Sequence, residues 1–190
     1  MRALVVYESM FGSTKAVAEA VADGLMTRLT TEVVEVSMAP ASLPEDLDLL
    51  VVAAPTHAMS LSRPWSRAAA AKQASGPLVS QGIGLREWLD ALEVSSAARS
   101  RCAAVAVDTR LGRRRPPGSA ARRAQTRLWR KGVRVLASAE TFWVGPAPGE
   151  LLHGERARAR SWGARLAAQV PQHLHGRSWD AHHTFTRSRP

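Results

Sequence analysis

Three short apolar runs, each followed by small or polar residues, dominate the hydrophobic pattern of this chain. They cover residues 4–7, 47–54 and 101–107. Apolar runs of this length, bounded by turn residues, are typical of buried strands. Residues 31–36 alternate polar and apolar positions as an edge strand does, and residues 133–137 predict a fifth strand, which 142–144 extends after a short break.

Between these strands the apolar positions follow a helical period. The pattern predicts helices over 15–29, after Pro64, and over 85–92, 119–131 and 149–168, with Pro171 ending the last one. Continuous apolar strands that alternate with helices are typical of a parallel sheet covered on both faces. We therefore predict an α/β fold, a doubly wound five-stranded parallel sheet.

Length and composition limit the class of protein. A chain of 190 residues suggests one domain, which we place at 1–170, and the aperiodic residues 171–190 suggest a flexible tail. No apolar run approaches a membrane span, and the apolar stretch at the N-terminus is too short for a signal peptide. The single cysteine, Cys102, excludes an intramolecular disulfide and fits a reducing compartment. We expect a soluble, cytoplasmic protein.

The charge of the chain is strongly positive and unevenly distributed. The formal net charge is +10, yet residues 1–60 contain eight acidic and three basic residues. The excess of arginine therefore lies in the C-terminal two thirds, which favours anionic partners.

The loops that follow the first, third and fourth strands emerge at the same edge of a parallel sheet, where doubly wound folds bind ligands. The first of these loops has donors for an anion, because Ser9, Ser13 and Thr14 carry hydroxyls and Gly12 allows close approach of the backbone. A helix N-terminus follows, and its free N–H groups favour a phosphate. The same residues would also form an ordinary helix-capping turn.

In order along the chain, these three loops resemble those of the flavodoxin family. Residues 9–14 (SMFGST) resemble its FMN phosphate loop, residues 55–60 (PTHAMS) its second flavin loop, and residues 108–110 (DTR) its third. The resemblance spans about residues 1–168 and implies the strand order 2-1-3-4-5. Because the break near residues 138–140 is only a few residues long, the chain resembles the short-chain flavodoxins.

The resemblance also implies which residues contact FMN. The phosphate would be held by Ser9, Met10, Phe11, Gly12, Ser13 and Thr14. The ribityl chain and one flavin edge would contact Pro55, Thr56 and His57, and the pyrimidine side would contact Asp108, Thr109, Arg110 and Leu111. For His57 and Asp108 the alternatives are a loop histidine bonded to a carbonyl and a capping or turn residue.

Two features differ from the family pattern. Neither the second nor the third loop contains an aromatic residue that could stack on the flavin; the nearest is Trp65, which we expect to pack beneath its own helix. The chain is also basic, whereas flavodoxins that carry electrons are typically acidic.

The resemblance implies an FMN-binding protein that acts in electron transfer, with an unidentified redox partner. One alternative is an FMN-dependent NAD(P)H reductase, in which Arg110 and residues 113–115 hold nucleotide phosphates. Another is a flavin-free module whose basic surface binds nucleic acid or an acidic protein, although no aromatic residues interleave with the arginines as nucleic-acid binding favours.

We assign no catalytic residue, because no constellation of serine, cysteine or carboxylate side chains suggests hydrolysis. The histidines near the C-terminus lack the carboxylates or cysteines of a metal site, so we predict none. These histidines are His173, His175, His182 and His183.

Overall fold

A computed structural model describes residues 1–74, 76–112, 118–147 and 149–175. The strands are β1 (Arg2–Tyr7), β2 (Thr30–Glu35), β3 (Leu49–Pro55), β4 (Ala103–Leu111), β5 (Arg134–Val135) and β6 (Glu140–Val144). The helices are α1 (Ser13–Leu25), α2 (Pro64–Gln73), α3 (Leu85–Ala91), α4 (Ser96–Arg101), α5 (Ala120–Arg130) and α6 (Glu155–His175).

The strands form one parallel sheet in the order β2-β1-β3-β4-β5. β5 pairs with the start of β4 and β6 pairs with its end, so the two short strands together occupy the fifth position. This arrangement confirms the predicted fold and strand order, including the break in the last strand.

Helices cover both faces of the sheet, as predicted. β1, β3 and β4 are almost completely buried, and their side chains alternate between two hydrophobic clusters. Val6 and Val52 pack with α3 and α5 on one face, whereas Val5 and Val51 pack with α1 and α6 on the other. β2 is half exposed, as its alternating sequence predicted for an edge strand.

Some boundaries differ from the sequence predictions. The short helix α4 was not predicted, and its last residue, Arg101, had been assigned to the following strand. The prediction that Pro171 ends the last helix is wrong, because α6 runs to His175. A proline removes one helical hydrogen bond but leaves the residues after it free to adopt helical angles. Residues 176–190, which make up most of the predicted tail, lie outside the described residues.

None of the helices in the described part of the chain is both long and apolar enough to cross a membrane.

Two glycines allow α1 and α6 to pack in close contact. A Cβ atom on Gly24 would lie 2.6 Å from the backbone nitrogen of Ala164 and would overlap the carbonyl oxygen of Arg160. A Cβ atom on Gly163 would overlap the carbonyl oxygen of Val21. This contact fixes α1, whose first turn belongs to the candidate site.

We expect Gly24→Ala to lower the free energy of unfolding by about 1–3 kcal/mol, because backbone overlap outweighs the gain of roughly 1 kcal/mol in helix propensity. The matched control is Gly76→Ala, where an added Cβ atom meets no atom within 4 Å. Thermal unfolding should show a lower Tm for Gly24→Ala and almost no change for the control. Equal midpoints for the two variants would show that the helices are not in this close contact.

Candidate functional site

The ends of β1, β3 and β4 bring three segments together at the carboxyl edge of the sheet. We call residues 8–12 the first loop and residues 56–63 the second loop. The third segment is the end of β4, which runs to Leu111, so the residues predicted for a third loop lie in the strand itself. Thr14 and Thr109 share a hydroxyl hydrogen bond of 2.8 Å, and the N–H of Thr56 donates to the carbonyl of Thr109 at 3.0 Å.

The first loop is shaped by a serine and a glycine. The hydroxyl of Ser9, which is fully buried, accepts the N–H of Gly12 at 3.1 Å. Gly12 has a φ of +99°, a left-handed conformation that glycine adopts without strain, and α1 begins immediately after it. An added Cβ atom at Gly12 would meet no atom within 4 Å. The turn therefore leaves open space beside the start of α1.

No side chain caps the N-terminus of α1, and its first turn contains no acidic residue. The first helical bond runs from the N–H of Ala16 to Gly12, and the described residues provide no acceptor for the N–H groups of Ser13, Thr14 and Lys15. The contrast with α5 is clear, because Ser119 caps that helix by accepting the N–H of Arg122 at 3.1 Å. The hydroxyls of Ser9, Ser13 and Thr14 therefore do not cap α1, which was the alternative interpretation of this loop. Unpaired N–H groups and the helix dipole at such an N-terminus favour an anion.

The second loop contains a tight turn in which His57 and Ser60 exchange two backbone hydrogen bonds of 2.9 and 3.0 Å. The central residues, Ala58 and Met59, have φ angles of 45° and 64°. Left-handed angles at two non-glycine residues cost of order 1–3 kcal/mol each, and such strain concentrates at functional sites. The Met59 side chain is 54% exposed.

The surroundings of the turn hold it in place. Arg86 of α3 donates to the carbonyls of Leu61 and Ser62 at 2.7 and 2.9 Å and to the hydroxyl of Ser60 at 3.1 Å. Burial, with a smaller contribution from the charge of Arg67, lowers the pKa of His57 below its usual value. The imidazole is therefore neutral at pH 7.

Asp108 is fully buried, and its carboxylate is surrounded by protein donors. One oxygen accepts the hydroxyls of Thr56 and Ser119 at 2.9 and 2.6 Å and the N–H of Ala121 at 3.1 Å. The other oxygen accepts the hydroxyl of Thr141 at 2.7 Å. Asp108 thus accepts an N–H in the first turn of α5, as the alternative interpretation of a capping residue predicted. It also joins the second loop to α5 and β6.

Aromatic residues lie elsewhere than the sequence suggested. Trp65 is 59% exposed, so the expectation that it packs beneath its own helix is wrong. Trp143 of β6 was missed; its ring centroid lies 6.0 Å from the guanidinium of Arg110, which is almost buried. Successive strand residues face opposite sides of the sheet, so a buried Phe142 would have indicated that Trp143 points away from that side of the core and lies beside the third segment. Residues 113–115 lie outside the described residues.

Glu8 was also missed as a site residue. It is fully buried at the start of the first loop, accepts the hydroxyl of Ser62 at 2.5 Å, and accepts the N–H of Leu85 at 2.8 Å. Ser62 in turn accepts from Arg67 at 3.0 Å. Burial raises the pKa of the Glu8 carboxyl, partly offset by these hydrogen bonds. Glu8 therefore connects the first loop to the segment that follows the second.

Comparison with known proteins identifies the fold that places these three segments together. Residues 5–72 match the family model described as flavodoxin. The chain therefore has a flavodoxin-like fold. Its structure is similar to oxidised flavodoxin 1 from Bacillus cereus, at 16% identity and a TM-score of 0.59 over 92% of this chain and 99% of that one.

Two further structures are similar to this flavodoxin-like chain. The flavodoxin of Streptococcus pneumonia TIGR4 matches at 17% identity and a TM-score of 0.59, covering 88% of this chain and 99% of its own. The flavodiiron protein of Giardia intestinalis matches at 18% identity and a TM-score of 0.56 over 90% of this chain and 36% of its own. No curated protein matches the sequence. At these identities the likeness establishes the fold.

We expect Asp108→Asn to destabilise the flavodoxin-like domain by about 3 kcal/mol, because the amide nitrogen cannot accept and at least one buried donor loses its acceptor. The matched control is Asp90→Asn, which removes an exposed carboxylate 2.8 Å from Arg127 and should cost less than about 1 kcal/mol. Denaturant unfolding of both variants measures the difference. Similar losses would show that Asp108 is not the central acceptor.

A second expectation concerns pH. Because folding raises the pKa of Glu8, the folded state holds this proton more tightly than the unfolded chain does. The unfolding free energy of the wild type, relative to Glu8→Gln, should therefore fall as the pH rises above about 4.3, the pKa expected in the unfolded chain. The control is Glu45→Gln, which removes an exposed carboxylate. A difference between wild type and Glu8→Gln that is independent of pH would contradict the burial of Glu8.

Proposed function

We propose that this chain binds FMN at the carboxyl edge of its sheet and acts as an electron-transfer flavoprotein. The observation that carries the proposal is the uncapped N-terminus of α1 beside the left-handed Gly12. A phosphate dianion would satisfy the three N–H groups left without acceptors among the described residues, and it would be stabilised by the dipole of α1. The flavodoxin-like fold and the family match over residues 5–72 support the choice of flavin.

The phosphate would lie against the first loop and the first turn of α1. The N–H groups of Ser13, Thr14 and Lys15 would donate to it, together with hydroxyls from the loop. Ser9 and Thr14 already take part in internal hydrogen bonds, which orient their oxygens while each hydroxyl retains a proton or a lone pair. The residues assigned to this subsite are Ser9, Met10, Phe11, Gly12, Ser13 and Thr14.

The remainder of the ligand would extend toward the second loop and the end of β4. Pro55, Thr56 and His57 would border the ribityl chain and one edge of the ring, while Thr109, Arg110 and Leu111 would border the pyrimidine side. The carboxylate of Asp108 is fully engaged with protein donors, so its part would be to position these segments.

When bound, FMN supplies the redox chemistry at its isoalloxazine ring. The chain's own contribution is to bind and orient the cofactor and to set the charge around it. Neutral His57 and the cationic Arg110 lie on the two segments that would flank the ring. A neutral imidazole and a cation add no negative charge there, unlike the carboxylates of acidic flavodoxins.

The proposal predicts that FMN binds more tightly than riboflavin and that the difference depends on Thr14. Thr14→Val removes one charge-assisted hydrogen bond, worth roughly 1.5–3 kcal/mol, and should weaken FMN binding about tenfold or more while riboflavin binding hardly changes. The matched control is Thr27→Val, the same substitution at the other end of α1, where the hydroxyl donates to the carbonyl of Gly24.

Quenching of flavin fluorescence on titration with the full chain gives both affinities. Equal losses for FMN and riboflavin would remove Thr14 from the phosphate site, and absence of quenching by the wild type would reject flavin binding. Bleaching of the bound flavin by NAD(P)H with no other protein present would favour a reductase over an electron carrier.

A further inference from the structure

We propose that the carboxyl edge of the sheet docks an acidic protein, through exposed apolar side chains that are surrounded by exposed cations. The proposal rests on the proposed function in one respect, since it identifies that protein as the redox partner. The charge of the proposed partner is opposite to that expected for an acidic flavodoxin, whose partners would be basic.

More than half of the large hydrophobic side chains that the described residues expose lie at this edge. We call them the edge patch: Met59, Trp65, Val79, Ile83 and Leu111. Leu111 ends β4, and the N–H of Val79 donates to the carbonyl of Met10 in the first loop at 3.0 Å. Ile83 lies two residues before Leu85, whose N–H donates to Glu8 at 2.8 Å. Trp65 follows Ser62, the other donor to Glu8, by three residues.

Such a concentration is unusual for a surface that only faces water. Single exposed hydrophobics are common, but a group of them at one edge marks an interaction site. Trp65 and Leu111 are 59% and 66% exposed and would gain most from burial against a partner.

Exposed cations surround the edge patch. They are Lys15, Arg63, Arg122, Arg123 and Arg156. Four of them stand in the first turns of α1, α5 and α6, and Arg63 immediately precedes α2. Among the ion pairs of the described residues, only the exposed 3.8 Å pair of Lys15 with Glu19 includes any of the five. The N-termini of these helices add positive potential at the same edge.

The carboxylates near this edge do not balance the cations. Glu87 is paired with Arg67, and Glu140 and Glu155 are both paired with Arg158, which leaves Glu150 exposed without an ion pair in the described part of the chain. In the first third, Glu8 follows β1 and Glu35 ends β2 at this same edge, but Glu8 is buried and the half-buried Glu35 accepts the N–H of Ser37 at 2.8 Å. Exposed cations therefore outnumber exposed carboxylates at this edge.

The mixture of side chains favours a protein over a nucleic acid. Protein interfaces combine an apolar centre with a polar rim, and arginine is enriched in them. Single-stranded nucleic acid requires aromatic platforms for its bases, whereas four of the five edge-patch side chains are aliphatic. Charge complementarity with the cationic rim then requires an acidic partner.

The test uses the full chain loaded with FMN and two redox probes of opposite charge. A plant-type [2Fe–2S] ferredoxin is the acidic probe and cytochrome c is the basic one. Calorimetry should show binding of ferredoxin that weakens strongly when the ionic strength is raised to ~0.2 M, where exposed charges are screened beyond about 10 Å. Cytochrome c should not bind.

Paired variants separate a local surface from overall charge. Arg63→Gln with Arg122→Gln should weaken ferredoxin binding at least about fivefold. The control, Arg130→Gln with Arg165→Gln, removes the same charge from exposed positions at the end of α5 and within α6, and should change it less than about twofold. Equal losses, salt-independent binding, equal binding of cytochrome c, or tighter binding of a DNA duplex would each overturn the proposal.

Flavin quenching is measured on the same samples. Ferredoxin binding by a chain that does not bind FMN would reject the proposed function and retain the docking surface. A chain that binds FMN but not ferredoxin would reject the docking surface alone.

Discussion

The buried carboxylate of Asp108 is the interaction on which the carboxyl edge depends. It collects three donors on one oxygen and one on the other, from Thr56, Ser119, Ala121 and Thr141. These donors belong to the second loop, the start of α5 and the last strand. In a low-dielectric interior each such bond is strong, and each donor would be costly to leave unpaired. The relative positions of three segments therefore follow from one side chain.

The remaining part of the edge is set by the packing of α1. Parallel pairing places the ends of β1, β3 and β4 side by side, and the Thr14–Thr109 bond joins the first segment to the third. The two glycines in the α1–α6 contact hold α1 close to α6. The helix thus begins at a fixed place with its N–H groups uncapped, which is the arrangement a bound phosphate requires.

The sequence predicted the parallel sheet because β1, β3 and β4 are continuous apolar runs with turn residues after each, and the strand order was implied by the resemblance of three loops to those of flavodoxins. It also located the first and second loops, whose small and polar residues are local signals. It did not reveal the role of Glu8, because its two donors, Ser62 and Leu85, lie 54 and 77 residues away. Long-range contacts of this kind leave no pattern in a short window.

The left-handed turn at Ala58 and Met59 escaped prediction for a different reason. Neither residue favours positive φ, so the surrounding structure, including the bonds from Arg86, must impose it. Trp143 lies in β6 and not in one of the three loops, so the loop motifs did not indicate it.

Amide shifts on titration with FMN test the central claim most directly, that the uncapped start of α1 is the phosphate site. In ¹H–¹⁵N spectra of the full chain, the largest changes should fall on Gly12, Ser13, Thr14 and Lys15, with further changes at the second loop and the end of β4. Riboflavin should leave the first group nearly unchanged. Absence of shifts, or shifts concentrated on β2 and the opposite edge of the sheet, would contradict the account.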